Sequence, residues 1–212
     1  MLEHVPEWLG RALRGVRAGM EKVAIADLGA PAGFARVDLS SPAFADEGRL
    51  PDRFTADGAG VSPPLVWRDP PPGTASFALL VEDADSPTPQ PLVHAVIWGL
   101  PAEAGALAEG AIVADGAGQG VRDIGRNSYR REGWLPPDPP TGHGEHRYVF
   151  QLFAIDAGAR DPGTDPRRSA LLDAIRGHVV GAGLLVGTYA RAERAPVGPV
   201  GVERGIGAGA AA

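Results

Sequence analysis

A glycine-rich loop and the buried strand that follows it are predicted by Gly142-His143-Gly144-Glu145-His146-Arg147-Tyr148-Val149-Phe150-Gln151-Leu152-Phe153-Ala154-Ile155-Asp156. The apolar run is long enough for a strand that is buried on both faces of a sheet. His146 and Tyr148 stand two residues apart at its start, so their side chains point to the same face. An imidazole and a phenol at the entrance of a buried strand, after a Gly-rich loop that follows Pro139 and Pro140, indicate the edge of a small pocket.

Two further apolar runs carry polar residues at their ends. The run from Phe77 to Val81 is followed by Asp83, Asp85 and Pro87, and the run Val93-His94-Ala95-Val96-Ile97-Trp98-Gly99 opens with a histidine. We therefore expect three strands to bring carboxylates, imidazoles and a phenol to one end of a sheet.

The composition restricts the class of protein. A chain of 212 residues with no Cys excludes a disulfide framework, thiol catalysis and Cys-ligated zinc. A net charge of −6 argues against nucleic-acid binding. No apolar run is long enough for a membrane span and the start of the chain does not resemble a secretion signal, so we expect a cytoplasmic protein without stable membrane insertion.

The start of the chain has the spacing of an amphipathic helix. Between Leu2 and Val23 the apolar residues recur every three or four positions, at Leu2, Val5, Leu9, Leu13, Val16, Met20 and Val23. Three glycines within this range weaken a helix by about 1 kcal/mol each, so the helix needs a partner surface. We expect it to pack on the body of the protein or on a second copy in a homodimer; a basic helix on a membrane surface is the alternative.

The rest of the chain is dominated by strand patterns. We divide it into an N-terminal helix and linker (1–33), a globular domain (34–192) and a Gly/Ala-rich tail (193–212). One helix is expected after Asp165-Pro166, with an apolar face that includes Val179 and an end at Gly181 to Gly183. A final strand is expected from Leu184 to Ala190. These patterns predict a mainly β protein: an antiparallel β-sandwich with one or two peripheral helices and the extra N-terminal helix.

Four motifs in this order resemble the phosphatidylethanolamine-binding protein family, and more narrowly its bacterial Raf kinase inhibitor-like branch. They are Ser62-Pro63-Pro64-Leu65, Asp83-x-Asp85-x-Pro87, His94, and Pro139-Pro140-x-Gly142-x-Gly144-x-His146-Arg147-Tyr148. The resemblance extends from about Phe34 to Arg191.

The resemblance implies a small anion-binding pocket at one end of the central sheet. The residues that it assigns to ligand binding are Asp83, Asp85, Pro87, His94, Pro140, His146 and Tyr148. In the family such a pocket takes phosphate-like groups, including the phosphoryl head of phosphatidylethanolamine. Members act as binders and modulators, mostly of kinases or proteases, so no catalytic residue, metal or cofactor is expected. The family also implies a cis peptide bond at Ser86-Pro87 or Gln90-Pro91.

The chemistry of these side chains fits an anion. Imidazoles and a phenol offer N–H and O–H donors to a phosphoryl oxygen. The neighbouring aspartates are expected to raise the pKa of the histidines, so that phosphate binding would be lost above the ordinary histidine value of about 6.5. Asp138 departs from the glycine of many animal members, and we expect its carboxylate to narrow the pocket or to repel anions.

Other interpretations of the same residues stay open. A hydrolase could use Asp85, His94 and His146 with a histidine-activated or metal-bound water. His143 and His146 together with the aspartates could bind a metal ion. The N-terminal helix could serve as a protein-interaction module beside a vestigial pocket. The aspartates could also be plain turn residues and His94 an ordinary strand histidine.

Overall fold

The computed structural model describes residues 6–29, 34–116 and 123–191. The predicted tail lies outside the described residues, as do residues 1–5 of the predicted N-terminal helix and residues 30–33 of the linker. Within the described ranges the chain forms ten strands and three α-helices. The main strands form where the sequence has long apolar runs, because the side chains of such a run are apolar on both faces of a strand and both faces must be buried.

The strands form two sheets. The larger sheet has the order β1-β10-β9-β5-β6-β8, with β3 also paired to β10, and the smaller has the order β2-β4-β7. The strand bounds are β1 Ala35–Arg36, β2 Asp38–Ser40, β3 Gly48–Arg49, β4 Leu65–Arg68, β5 Ser76–Asp83, β6 Leu92–Pro101, β7 Gly105–Leu107, β8 Asp123–Ile124, β9 His146–Ile155 and β10 Val179–Tyr189.

The prediction of a mainly β fold is confirmed, but the larger sheet is mixed. Strand β9 lies antiparallel between β5 and β10, and β6 continues the antiparallel pairing. At the far side, β1 and β3 both run parallel to β10. The prediction of a purely antiparallel arrangement is therefore wrong for these two short strands. They precede the main strands in sequence and pair with the outer edge of β10, the last strand.

The larger sheet is covered on both faces. One face shares a core with the smaller sheet, in which Phe77, Leu79 and Phe150 meet Leu65 and Trp67. The opposite face packs against helix α3 (Arg168–Ile175) through a second cluster that includes Leu80, Phe153 and Leu171. Burial on both faces explains the apolar run from Phe77 to Val81 in β5 and the run from Tyr148 to Ile155 in β9, in which Gln151 is the one polar amide.

The boundary between α3 and the last strand differs from the prediction. The helix ends at Ile175, and Gly177 adopts a φ of 82°, which favours glycine and turns the chain out of the helix. Val179, predicted on the helix, is the first residue of β10. Gly181 was predicted to end the helix, but it lies inside the strand; a Cβ there would stand 2.9 Å from the backbone oxygen of Ala35 in β1. It permits close strand pairing instead.

A single helix from Leu2 to Val23 is wrong. The described part consists of helix α1 (Glu7–Ala12), a 3-10 turn (Met20–Lys22) and helix α2 (Ala24–Asp27), which together with their connections form an N-terminal strap, residues 6–29. Between α1 and the turn, the backbone N–H groups of Ala18 and Gly19 donate to the body of the protein, and Gly19 has a φ of 104°.

The predicted apolar stripe is accordingly not one face. Leu9 and Leu13 are half-buried and Val23 is buried, whereas Val16 is 48% exposed and points away from the core. The strap packs on the body of the protein through local contacts. Packing on a second copy stays a prediction.

Candidate functional site: a cavity between two loops

A cavity of about 450 Å³ opens between the loop after β5 and the segment that precedes β9. Its lining residues are Ala56, Asp83, Ser86, Pro87, Thr88, Leu92, His94, Tyr129, Arg131, Leu135, Pro136, Asp138, Pro139, Pro140 and His146. The antiparallel pairing of β5 with both β6 and β9 brings the three sequence segments together, since Asp83 pairs with both Leu92 and Tyr148. Five of the seven predicted residues line this cavity: Asp83, Pro87, His94, Pro140 and His146.

Asp85 does not line the cavity, although it was predicted there. Its carboxylate is fully buried and accepts hydrogen bonds from Arg147 Nε at 2.7 Å and Arg147 Nη2 at 2.8 Å, and Arg17 Nη1 lies 2.8 Å away. Burial opposes the charged form, but the hydrogen bonds from the two arginines outweigh it and hold the pKa of Asp85 well below its ordinary value. Asp85 therefore joins the two loops and the strap.

Tyr148 also lies outside the cavity lining. It is fully buried and packs edge-on against His94, with ring centroids 5.1 Å apart. Its hydroxyl has no hydrogen-bond partner within the described part of the chain. Burial raises the pKa of this phenol well above its ordinary value, so it stays protonated and able to donate.

His94 presents one bound and one unbound nitrogen. Its Nδ1 lies 2.6 Å from the carbonyl oxygen of Leu135. A carbonyl only accepts hydrogen bonds, so we assign a proton to Nδ1, which leaves Nε2 as a lone pair in the neutral ring. Nε2 is buried and has no partner among the described residues.

Burial lowers the pKa of His94, and the negative charge of Asp83 offsets this only in part. The predicted rise for this histidine is therefore wrong, because the ring is almost wholly removed from water.

His146 belongs to a chain of hydrogen bonds. Its Nδ1 lies 2.8 Å from Asp83 Oδ2, and its Nε2 lies 2.7 Å from His143 Nδ1. The second nitrogen of His143, Nε2, lies 2.8 Å from the carbonyl oxygen of Leu13 and 3.2 Å from that of Val16. The cavity is thus connected through two buried imidazoles to the N-terminal strap.

This geometry differs from a metal site. The facing nitrogens of His143 and His146 are 2.7 Å apart, closer than two ligands about 2.0–2.1 Å from one tetrahedral ion would stand. In the described ranges, no group of three or more His, Asp or Glu side chains is arranged to hold a metal ion.

Side chains of both charges line the cavity. Asp138 lines the cavity, and its carboxylate lies 2.7 Å from Arg191 Nη2, so its negative charge is compensated. Arg131 is an exposed cation in the lining. No pattern in the sequence indicated a role for Arg131. The sequence raised His143 only as a candidate metal ligand.

The strap ties together the two loops that form the cavity. The backbone N–H groups of Ala18 and Gly19 donate to the carbonyls of Ser86 and Ala84 in the first loop. Arg14 donates to the carbonyl of Gly142, and Arg17 to that of Glu145, in the second loop. The expected cis bond at Ser86-Pro87 or Gln90-Pro91 is wrong, since the described residues contain no cis peptide bond.

Comparison with known proteins agrees with this fold. The family model "Phosphatidylethanolamine-binding protein" matches residues 40–190. A UPF0098 protein of Methanothermobacter thermautotrophicus is 38% identical over 160 residues, which cover 73% of this chain and 99% of the relative. A UPF0098 protein of Chlamydia pneumoniae is 37% identical, over 72% of this chain and 98% of the relative.

Solved structures show the same architecture. A phosphatidylethanolamine-binding protein homologue from Chlamydia trachomatis superposes with a TM-score of 0.65 at 31% identity, covering 74% of this chain and 99% of that one. Escherichia coli YbcL has the same fold, with a TM-score of 0.68 at 23% identity, covering 74% of this chain and all of that one. No helix within the described residues is long and apolar enough to cross a membrane. The chain belongs to the phosphatidylethanolamine-binding protein family, in its bacterial branch.

Proposed function

We propose that the cavity binds a small anion with a phosphoryl group or a similar oxyanion, and that the protein is a regulatory binding protein rather than an enzyme. The observation that carries the proposal is the unbound Nε2 of His94, which is buried in the lining of a cavity that also holds the Arg131 cation. A buried polar atom without a partner costs free energy, which a bound ligand would recover. Occupancy would then regulate a protein partner, such as a kinase or protease.

The protonation state of His94 defines what the ligand must bring. A phosphoryl oxygen and Nε2 can form a hydrogen bond only with one proton between them. A monoanionic phosphate supplies that proton from its own hydroxyl, and a dianion requires His94 to take one from water. Because burial lowers the pKa of His94, we expect the free ring to be neutral at neutral pH and the proton to arrive with the ligand.

The carboxylate of Asp83 favours some phosphoryl ligands over others. One carboxylate oxygen of Asp83 accepts a hydrogen bond from the N–H of Asp85, and the other contacts His146. Few of its lone pairs are left for a ligand, but its negative charge lies at the cavity. A ligand that carries an ammonium group beside its phosphoryl group, such as phosphoethanolamine, would place a cation near this charge. Phosphoethanolamine is therefore expected to bind more tightly than inorganic phosphate.

Calorimetric titration with phosphoethanolamine, phosphate and ethanolamine tests the proposal. His94→Asn keeps an amide nitrogen near the position of Nδ1, and so the bond to Leu135, while it removes Nε2. We expect it to weaken phosphate binding at least tenfold, because a hydrogen bond to a charged group contributes about 1.5–3 kcal/mol. His178→Asn, which changes a partly exposed histidine paired with Asp156, is the control.

A second pair of variants separates specific binding from surface charge. Arg131→Gln removes the cation in the cavity lining, and Arg130→Gln removes an exposed arginine that lines a different cavity. We expect Arg131→Gln to weaken phosphate binding several-fold and Arg130→Gln to leave it unchanged. Equal effects of the two variants, or no heat of binding at millimolar phosphate, would refute the proposed site.

The other functions have less support. The three residues of the hydrolase hypothesis do not meet, because the Asp85 carboxylate is bound by two arginines outside the cavity. The interaction-module hypothesis requires a free apolar helix, whereas α1 is six residues long and the strap is hydrogen-bonded to the body at many points. We expect no turnover of phosphate or carboxylate esters, which a screen with and without divalent metals would measure.

A further inference from the structure

A series of hydrogen bonds runs from Asp83 through His146 and His143 to the strap, and its geometry determines how many protons the series must contain. The contact between Asp83 Oδ2 and His146 Nδ1 requires one proton, and so does the contact between His146 Nε2 and His143 Nδ1. The carbonyl oxygens of Leu13 and Val16 only accept, so His143 Nε2 must also carry a proton. Three contacts in series therefore hold three protons.

An ionised aspartate and two neutral imidazoles supply only two. The third proton makes the group of Asp83, His146 and His143 neutral overall, either as an imidazolium beside a carboxylate or as a carboxylic acid beside two neutral rings. Without it, one of the three contacts must fail. Two imidazole lone pairs face each other across 2.7 Å, or a lone pair of His143 faces the strap carbonyls, or a lone pair of His146 faces the Asp83 carboxylate. Because all three side chains are buried, such a failed contact is costly.

Neighbouring charges act on this proton from every side. The cations are Arg14 and Arg17 of the strap and Arg147 of β9; the anions are Asp85 and Glu145; His94 of β6 stands across the cavity. Arg147 and Arg17 are held by Asp85, which compensates much of their charge. Burial and the neighbouring positive charge of His146 lower the pKa of His143, whereas its hydrogen bonds to the strap carbonyls of Leu13 and Val16 raise it. Because these carbonyls favour the protonated form, the third proton and the strap contact stabilise each other.

We propose that His143 is a positioning residue that couples the cavity to the N-terminal strap through one shared proton, so that strap attachment and the charge state of Asp83 and His146 form a single equilibrium. The strap is attached most firmly when the proton is present. As the pH rises and the proton leaves, the contact with the carbonyls of Leu13 and Val16 weakens and the strap opens more often. By linkage, any ligand that changes the charge near Asp83 shifts strap attachment, and loosening the strap changes affinity in the cavity to the same degree.

The strap is outside the family match, which begins at residue 40. Its contacts with the two cavity loops are therefore an addition to the family domain in this chain. This proposal concerns the ligand-free protein and does not depend on the identity of the ligand.

Hydrogen exchange of strap amides tests the coupling. The N–H groups of Ala18 and Gly19 donate to the first cavity loop and report strap attachment directly. Their protection factors, corrected for the intrinsic pH dependence of exchange, should fall about tenfold between about pH 4.5 and about pH 6.5, as expected for loss of one buried hydrogen bond from a histidine whose pKa is lowered from the ordinary value of 6.5. Amides in the middle of β9 serve as an internal reference that should not change.

Three variants separate a shared proton from a merely structural histidine. His143→Gln places an amide N–H near the position of Nε2, so it can keep the strap contact, but it cannot titrate; protection should then be independent of pH. Asp83→Asn keeps its oxygen on the N–H of Asp85 and turns an amide N–H towards His146 Nδ1. The amide then supplies the third proton permanently, so protection should again be independent of pH. His178→Gln removes a titratable histidine elsewhere and should behave as the wild type.

The outcomes are decisive in each direction. If His143→Gln retains the pH dependence of the wild type, or if the wild type shows none, the shared proton is refuted. If the dependence is lost in His143→Gln but persists in Asp83→Asn, the coupling to the cavity is refuted. Phosphate binding by the wild type, measured separately, decides the proposed function, so a failure of one proposal is distinguishable from a failure of the other.

Discussion

The two loops that form the cavity have two faces with opposite character. On the cavity face, His94 Nε2 has no partner among the described residues and Arg131 is exposed to solvent. On the strap face, the Asp85 carboxylate accepts from two arginines and a backbone N–H, and both nitrogens of His143 are engaged. The cavity face therefore has a buried polar atom without a hydrogen-bond partner among the described residues, whereas the buried polar groups named on the strap face are hydrogen-bonded.

This difference separates the residues that bind from those that hold the site together. Asp83 and Asp85 are two positions apart in one motif, and only Asp83 contributes to the cavity. The Asp85 carboxylate is fully paired with arginines, so it stabilises the loops but has no hydrogen bond to offer a ligand. The unpaired nitrogen of His94 can accept a hydrogen bond from a ligand, but it lowers the stability of the free protein. The comparison predicts large stability effects on the strap face and large affinity effects on the cavity face.

The largest effect is expected at Asp85. Asp85→Asn should lower the free energy of unfolding by about 2–3 kcal/mol, because it leaves Arg147 and Arg17 beside a buried group that cannot compensate them. Both arginines are partly exposed, which keeps the effect below that of a fully buried pair. Urea unfolding measures it. The control is Glu109→Gln, whose partner Arg53 and own carboxylate are both largely exposed, with an expected change under about 1 kcal/mol.

The acid limb of the stability profile provides a second measure of the same residue. The pKa of Asp85 is depressed in the folded state, so its stabilisation is present above the ordinary value of 3.8 and is lost as the pH falls below it. Wild-type stability should decline more steeply than that of Asp85→Asn in this range. Parallel curves for the two proteins would contradict the role of the ion pair.

On the cavity face, the expected effect is on the pH dependence of affinity. Above about pH 7 a phosphate monoester is a dianion and His94 is neutral, yet the complex requires one proton between them. The affinity for phosphoethanolamine should therefore fall about tenfold per pH unit between about pH 7 and about pH 9.

Calorimetry at a series of pH values measures this slope. Arg131→Gln should lower the affinity at every pH and keep the slope, because an arginine does not titrate in this range. An affinity that is constant between neutral and alkaline pH would show that the phosphoryl group does not contact His94.

A pair of glycines in the strap gives the smallest effect. A Cβ at Gly10 would collide with the backbone oxygen of Thr141, so Gly10→Ala should displace α1 and cost about 1 kcal/mol despite the better helix propensity of alanine. Nothing lies within 4 Å of a Cβ at Gly15, and Gly15→Ala should be neutral or stabilise by about 0.5 kcal/mol. Thermal unfolding of both variants decides whether the strap fits closely against the second loop; equal shifts would show that it does not.

Much of the fold could be predicted from the sequence because its main signals are local. The apolar runs of β5, β6 and β9 identify buried strands, and paired prolines and glycines mark the loops between them. The motif order then placed Asp83, His94 and His146 at one end of the sheet. Strand register supplies the remainder, since it brings Asp83 opposite Tyr148.

The errors occurred where a distant contact decides the local structure. The spacing of Leu9, Leu13 and Val16 predicts a helix, but the carbonyls of Leu13 and Val16 bond to His143, 130 and 127 positions away. Asp85 resembles a ligand residue until Arg17 is placed beside it. The glycines of β10 resemble a helix end until the neighbouring strand is known.

Glu82 links the strap to β9 and α3. Its fully buried carboxylate accepts from the N–H of Ala24, from Gln151 Nε2 and from Arg168 Nε, which are 58, 69 and 86 positions away. The anchor for the strap does not exist until β5, β9 and α3 have come together. The strap precedes all of these elements in the chain, so we expect it to dock only after they have assembled.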